Sequence, residues 1–271
     1  MIAARDAQRT PREHPTPERG TPDTAYTRTG AGPALLLLHP LGADREVWTP
    51  VVDRLADRRE LIAVDLPGFG ASPPLRDVRP TAAALAKALA ALIAELDLDH
   101  PHVAGNSLGG WIALELGLAG AVASTTAIAP AGLWADPLIP KPSIAHRLAR
   151  SLRPLIGPVA ASGGGRTLLL ASAVAHPDRV PPAESAHLVR AYADARGFVA
   201  VNRAMRAGTF TALDQIATPV TLVWPEHDGL VSRPTRLPPN VRNVALPDAG
   251  HMPFWDVPDA VAEILLAATG G

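Results

Sequence analysis

The sequence predicts an α/β fold in which a mostly parallel sheet carries helices on both faces and is interrupted by one helical insertion. Three observations lead there. Short apolar runs without alternation, such as Ala34-Leu35-Leu36-Leu37-Leu38 and Val220-Thr221-Leu222-Val223-Trp224, suit strands covered on both faces. Segments with apolar residues at helical spacing separate these runs, which is the order of a parallel sheet built from crossover units. Across 131–213 the alternation lapses, and no segment reads as a buried strand.

Taken in order, residues 1–23 mix arginines and acids with Pro11, Pro15, Pro17 and Pro22. Such a segment buries too little apolar surface to offset its ordering entropy, so it is expected to be a flexible tail. Residues 25–29 form an expected edge strand, closed by the turn Gly30-Ala31-Gly32-Pro33. The central strand 34–38 follows, then a helix over 48–57 and a buried strand over 60–64 that ends at Asp65. Residues 81–96 are rich in Ala and Leu and start at Thr81, a good N-cap, so they predict a helix. Val103 and Ala104 lead into Gly105-Asn106-Ser107-Leu108-Gly109, a helix-like run follows to Leu116, and 124–128 supplies another strand. The strand pattern resumes at 220–224 and 241–246, and 258–268 closes the chain as an amphipathic helix. The expected organisation is a core of 24–130 and 214–271, with 131–213 as a helical insertion broken by prolines and by Gly163-Gly164-Gly165.

Composition narrows the function. A chain of 271 residues with 47% hydrophobic and 19% charged residues can bury one large core. Its net charge of −1 leaves no overall footprint for nucleic acid or an anionic membrane. The absence of cysteine excludes disulfides, thiol catalysis and thiolate metal sites. No apolar stretch approaches the roughly 20 residues of a membrane span, and the N-terminal segment lacks the apolar run of a signal peptide. A cytoplasmic protein is the resulting expectation.

Ligands of open α/β sheets bind beyond the carboxyl ends of the strands. Those ends carry His39-Pro40-Leu41-Gly42, the stretch from Asp65 to Ser72, Ser107, Pro225-Glu226-His227-Asp228, and Asp248-Ala249-Gly250-His251. A hydroxyl, an acid and a histidine thus stand at three separate strand ends. Ser107, between a strand and a helix, has the setting of a nucleophile elbow. Asp228 is preferred as the acid over Glu226 and Asp136 because it lies furthest into its loop. His251, after a glycine and before the last helix, is preferred as the base; His39 and His227 read as hydrogen-bonding turn residues.

These motifs resemble the α/β-hydrolase superfamily, serine-nucleophile branch with a helical cap, from about residue 25 to the C-terminus. The resemblance implies that Ser107 in G-N-S-L-G-G is the nucleophile, Asp228 in V-W-P-E-H-D the acid and His251 in D-A-G-H-M-P-F-W the base. His39-Pro40-Leu41-Gly42 is similar to the oxyanion loop, with the backbone N–H groups of Leu41 and Leu108 as donors. Pro40 stands where the family usually has glycine, but the donor is the next residue. Pro225 likewise replaces a glycine before the acid. The implied activity is cofactor-free, metal-free hydrolysis of a small or medium apolar ester through an acyl-enzyme. A serine argues against the alkyl-enzyme chemistry of relatives that open halides or epoxides with an aspartate. Hydrolysis of a C–C bond in a diketone-type substrate, perhydrolysis and a slow-turnover ligand receptor are the alternatives. Met252 departs from the C–C-cleaving branch, where tryptophan follows the histidine. Leu133, Trp134, Leu138, Leu155, Phe198 and Phe210 are the candidate pocket residues of the insertion.

Overall fold

Eight strands form one sheet among the residues described by the computed structural model, which are 18–20, 23–139 and 142–270. The strands are β1 (Glu18–Gly20), β2 (Thr24–Thr29), β3 (Ala34–Leu38), β4 (Glu60–Val64), β5 (His102–Asn106), β6 (Ser124–Ile128), β7 (Val220–Pro225) and β8 (Val241–Leu246). Their spatial order is β1-β2-β4-β3-β5-β6-β7-β8. Neighbours from β4 across to β8 are parallel, whereas β1 and β2 are antiparallel additions at one edge. The chain winds one way from β3 to β4 and the other way from β5 to β8. The crevice beyond β3 and β5 is therefore the switch point where such sheets place their ligands.

The helices are α1 (Thr49–Leu55), α2 (Ala82–Glu95), α3 (Leu108–Leu118), α4 (Ile144–Ser151), α5 (Ile156–Ala160), α6 (Gly163–Leu170), α7 (Pro182–Asp194), α8 (Phe198–Arg206) and α9 (Pro258–Ala268). The unbroken apolar run of β3 follows from its two covered faces. Leu36 and Leu38 join the core that includes Leu85 and Leu89 of α2 and Ile112 of α3. Leu35 and Leu37 join the core that includes Val51 and Leu55 of α1 and Val261 and Leu265 of α9. Helices α4 to α8 all fall between β6 and β7, and the described residues of that stretch contain no strand. No helix among the described residues is long and apolar enough to cross a membrane.

Three local expectations change. Glu18–Gly20 pairs with β2 instead of joining a tail, and the Tyr26 hydroxyl meets Glu18 Oε2 at 3.0 Å. An edge strand takes its stability from backbone bonds to its neighbour, so it needs no apolar signature. The other residues of the expected tail, 1–17 and 21–22, lie outside the described residues. The helix expected over 48–57 is a 3-10 turn, Arg45–Trp48, followed by α1; Asp44 starts it by accepting the Glu46 N–H at 3.1 Å. Gly163-Gly164-Gly165 does not break the insertion but forms the first turn of α6. There Ser162 Oγ accepts the Gly165 N–H at 3.0 Å, and a cap of this kind offsets the poor propensity of glycine.

Candidate active site

Strand β5 runs into α3 through a single residue, Ser107, held at φ 55° and ψ −112°. A non-glycine residue in such a conformation costs about 1–3 kcal/mol and persists only where its surroundings enforce it. Here the Ser107 N–H donates to the Ile128 carbonyl at 2.9 Å, and its own carbonyl accepts the Trp111 and Ala131 N–H groups, both at 3.0 Å. The flanking glycines are a steric necessity. A Cβ on Gly105 would collide with the Gly109 carbonyl, and one on Gly109 with the Leu38 carbonyl.

Asp228 and His251 follow the adjacent strands β7 and β8. Asp228, in the turn after β7, fixes its carboxylate by accepting the Leu230 and Val231 N–H groups on Oδ1 at 2.7 and 3.0 Å. Its Oδ2 lies 2.8 Å from His251 Nδ1, and the two side chains are only 3% and 6% exposed, so water competes little for this bond. Burial pushes the Asp228 carboxyl up, but the His251 hydrogen bond and the two N–H donors outweigh it and leave it below the usual range. The rivals Glu226 and Asp136 are exposed. Asn106, directly before Ser107, donates from Nδ2 to the His251 and Ile128 carbonyls, both at 3.0 Å. The histidine loop is thereby tied beside the elbow.

The loop after β3 reaches the same place because Leu38 is in register with Gly105. His39 is buried and works as a brace. Its Nδ1 donates to the Pro40 carbonyl at 2.8 Å and its Nε2 accepts the Leu66 N–H at 2.9 Å. Burial lowers its pKa and keeps the ring neutral. The Pro40 carbonyl also accepts the Ala43 N–H at 3.2 Å, so the proline that lacks a donor still anchors the turn carrying Leu41. Leu108 is the first residue of α3, where a backbone N–H has no intrahelical acceptor. Gly42 turns at φ 83°, and a Cβ there would stand 2.6 Å from the Tyr192 ring. The loop from Asp65 to Ser72 is structural: Asp65 accepts the Arg45 and Ala71 N–H groups at 2.8 Å, and Ser72 Oγ bridges the Asp65 carbonyl and the Ala25 N–H.

The insertion grips the loops that carry His251 and Leu41. At the histidine loop, buried Asp256 accepts three N–H groups at 2.9 Å, from Gly250, Ala175 and His176, and the Met252 N–H donates to the Ala173 carbonyl at 2.7 Å. At the other loop, His187 of α7 meets Asp44 Oδ2 at 2.9 Å. That hydrogen bond raises His187 to about 9 despite partial burial. Burial pushes Asp44 up, but His187 holds it below the usual carboxylate range. A histidine raised in the folded state stabilises fully below its unfolded pKa of about 6.5 and ceases to as pH passes the folded value. His187→Gln is therefore expected to lower Tm most near about pH 6, with the gap closing above about pH 9. Thermal melts of both proteins across that range check it; a constant gap would contradict the ion pair.

The candidate pocket residues fall in several parts of the insertion. Leu133 and Trp134 pack against the core that contains Trp111 and Phe210. Trp134 stands edge-on to Trp111 with centroids 5.9 Å apart and donates to the Gly208 carbonyl at 2.8 Å. These residues seat the insertion on α3. Leu138 is half-buried with its N–H on the Arg206 carbonyl, and Leu155 is 54% exposed. Apolar side chains at helical spacing look alike in sequence whether they face a core, a pocket or water. The residues that meet the Gly42 turn are Tyr192 and Phe198, with His146 stacked on Phe198 at 4.5 Å. Of these the sequence singled out only Phe198; Tyr192, His146, His187, Asp44 and Asp256 carry no motif. Among the described residues, no group of His, Asp and Glu is arranged to hold a metal ion.

Comparison with known proteins accords with this architecture. Residues 35–264 match the family model described as alpha/beta hydrolase family. A stretch of 91 residues, 34% of the chain, is 43% identical to the pimeloyl-[acyl-carrier protein] methyl ester esterase of Aeromonas hydrophila subsp. hydrophila, and it spans 34% of that relative's length. An epoxide hydrolase of Mycobacterium tuberculosis is 31% identical over 192 residues, 63% of this chain and 86% of that one. A solved structure of a membrane phospholipase A, a bacterial virulence factor, superimposes with a TM-score of 0.74 at 26% identity, covering 94% of this chain and 85% of that one. A thermophilic esterase from Thermogutta terrifontis gives 0.69 at 23% identity, covering 92% and 94%, a likeness of fold alone. A family match running from the first parallel strand into the last helix settles the membership: the chain belongs to the alpha/beta hydrolase family.

Proposed function

We propose that the protein is a cofactor-free serine hydrolase that cleaves a small or medium, apolar carboxylic ester through an acyl-enzyme. The observation that carries this reading is the buried His251–Asp228 hydrogen bond of 2.8 Å on the loop that Asn106 ties to the elbow. Ser107 Oγ attacks the ester carbonyl while His251 takes its proton, and Asp228 keeps the ring oriented and stabilises the imidazolium. The N–H groups of Leu41 and Leu108 receive the oxyanion. His251 then protonates the departing alcohol and draws a proton from the water that hydrolyses the acyl-enzyme.

A cap over 131–213 fits this scheme, because α7 and α8 bring Tyr192 and Phe198 onto the turn next to Leu41, where they favour an apolar substrate and exclude water. The epoxide hydrolase relative shares the fold-level chemistry of hydrolysis, yet a serine at the elbow forms an acyl ester and not the alkyl ester of epoxide opening. A panel of p-nitrophenyl esters of increasing acyl length tests the reading. Turnover that peaks at short or medium chains is expected; no turnover above the Ser107→Ala background across the panel would contradict it.

A further inference from the structure

The insertion carries an outward apolar stripe set among cations. Helix α4 and the 3-10 turn that follows it, Arg153–Leu155, place Ile144, Leu148, Leu152 and Leu155 at spacings of four, four and three, one helical face. These side chains are 59%, 55%, 45% and 54% exposed. The opposite side of α4 is anchored by His146, buried against Phe198 and Tyr192, so the stripe is turned away from the molecule. Ile139 and Leu168, also strongly exposed, belong to the same stretch of chain.

Charge is as one-sided as hydrophobicity. Residues 137–177 contain Lys141, Arg147, Arg150, Arg153 and Arg166 and no Asp or Glu, in a chain whose net charge is −1. Arg153 is paired with Asp194 of α7 at 2.8 Å, while on α4 Arg147 stands exposed at the edge of the stripe and Arg150 is exposed one turn after His146. The net charge of the whole chain averages this asymmetry away, which is why composition gave no membrane footprint.

We propose that this face docks the protein on an anionic lipid bilayer, with the aliphatic stripe entering the interface and the arginines meeting headgroup phosphates. An amphipathic helix with cations flanking exposed Leu and Ile has the two attractions that hold a peripheral protein on such a surface. An acidic soluble partner would account for the arginines but not for four large aliphatic side chains held in one row against water. Because the inner side of the same helix packs on the residues that reach the Gly42 turn, docking brings the site to the source of amphiphilic esters. Only that last consequence rests on the proposed ester chemistry; the docking does not.

Sedimentation of the full chain with vesicles tests the docking separately from catalysis. The protein, and equally its Ser107→Ala variant, is expected to pellet with phosphatidylcholine vesicles containing phosphatidylglycerol and far less with phosphatidylcholine alone. L148D/L152D should bind the anionic vesicles about tenfold or more weakly, and R147E several-fold more weakly. Their Tm and their turnover of a water-soluble ester should match the parent, which shows that they are folded. Failure of the parent to pellet, or variants that bind as well as it does, would overturn the proposal. So would binding to poly-glutamate as strong as to the vesicles and unaffected by L148D/L152D, which would make the face a site for an acidic protein.

Discussion

Replacing Ser107 by alanine is expected to lower kcat on a p-nitrophenyl ester by about 10⁴–10⁶-fold while leaving KM within a few-fold. The hydroxyl acts only when the bond to the carbonyl forms, so its loss removes transition-state stabilisation and not substrate binding. His251→Ala should fall nearly as far. The double variant should be no slower than either single one, because nucleophile and base work as a unit. Steady-state kinetics on folded protein checks both statements; Ser107→Ala retaining more than about a tenth of the rate would remove the serine from the mechanism.

Asp228→Asn should cost about 10⁴-fold in kcat with the fold intact, and the hydrogen bonds explain why. The asparagine oxygen can keep the Leu230 and Val231 N–H groups that Asp228 Oδ1 now accepts, which turns its NH₂ toward His251 Nδ1. An N–H donor there forces the imidazole proton onto Nε2, the nitrogen that must accept from serine. The exposed neighbour Glu226→Gln is the control, expected to change kcat by less than about twofold. Equal losses in the two variants would mean that the acid has been misassigned.

Both variants concern residues that the sequence already marked, and the reason is local. A nucleophile elbow needs glycines at fixed offsets, and a buried parallel strand needs a short apolar run, so β3, β5 and β7 and the loops after them can be read from the chain. Edge strand β1 could not be, since Glu18–Gly20 is defined only by pairing with β2. The ties between the insertion and the loops carrying Asp44 and His251 were equally hidden. His187 and Asp44 are 143 positions apart, and Asp256 and Ala175 are 81 apart, and an isolated histidine or aspartate looks like a surface residue until its partner is placed. Hydrophobicity alone is a different kind of signal. Leu133, Trp134 and Phe210 have the hydrophobicity of lining residues, and they pack in the core cluster that contains Trp111. Tyr192 reaches the Gly42 turn from a helix whose register the sequence could not relate to it.

The central claim is that Ser107 is a nucleophile activated by His251. Its most direct test is covalent labelling of the folded protein with a fluorophosphonate, followed by mass spectrometry of the digested chain. The account predicts one adduct per chain, on the peptide that contains Ser107, and none in His251→Ala over the same interval. An unlabelled wild-type protein, or an adduct on another residue, would contradict it.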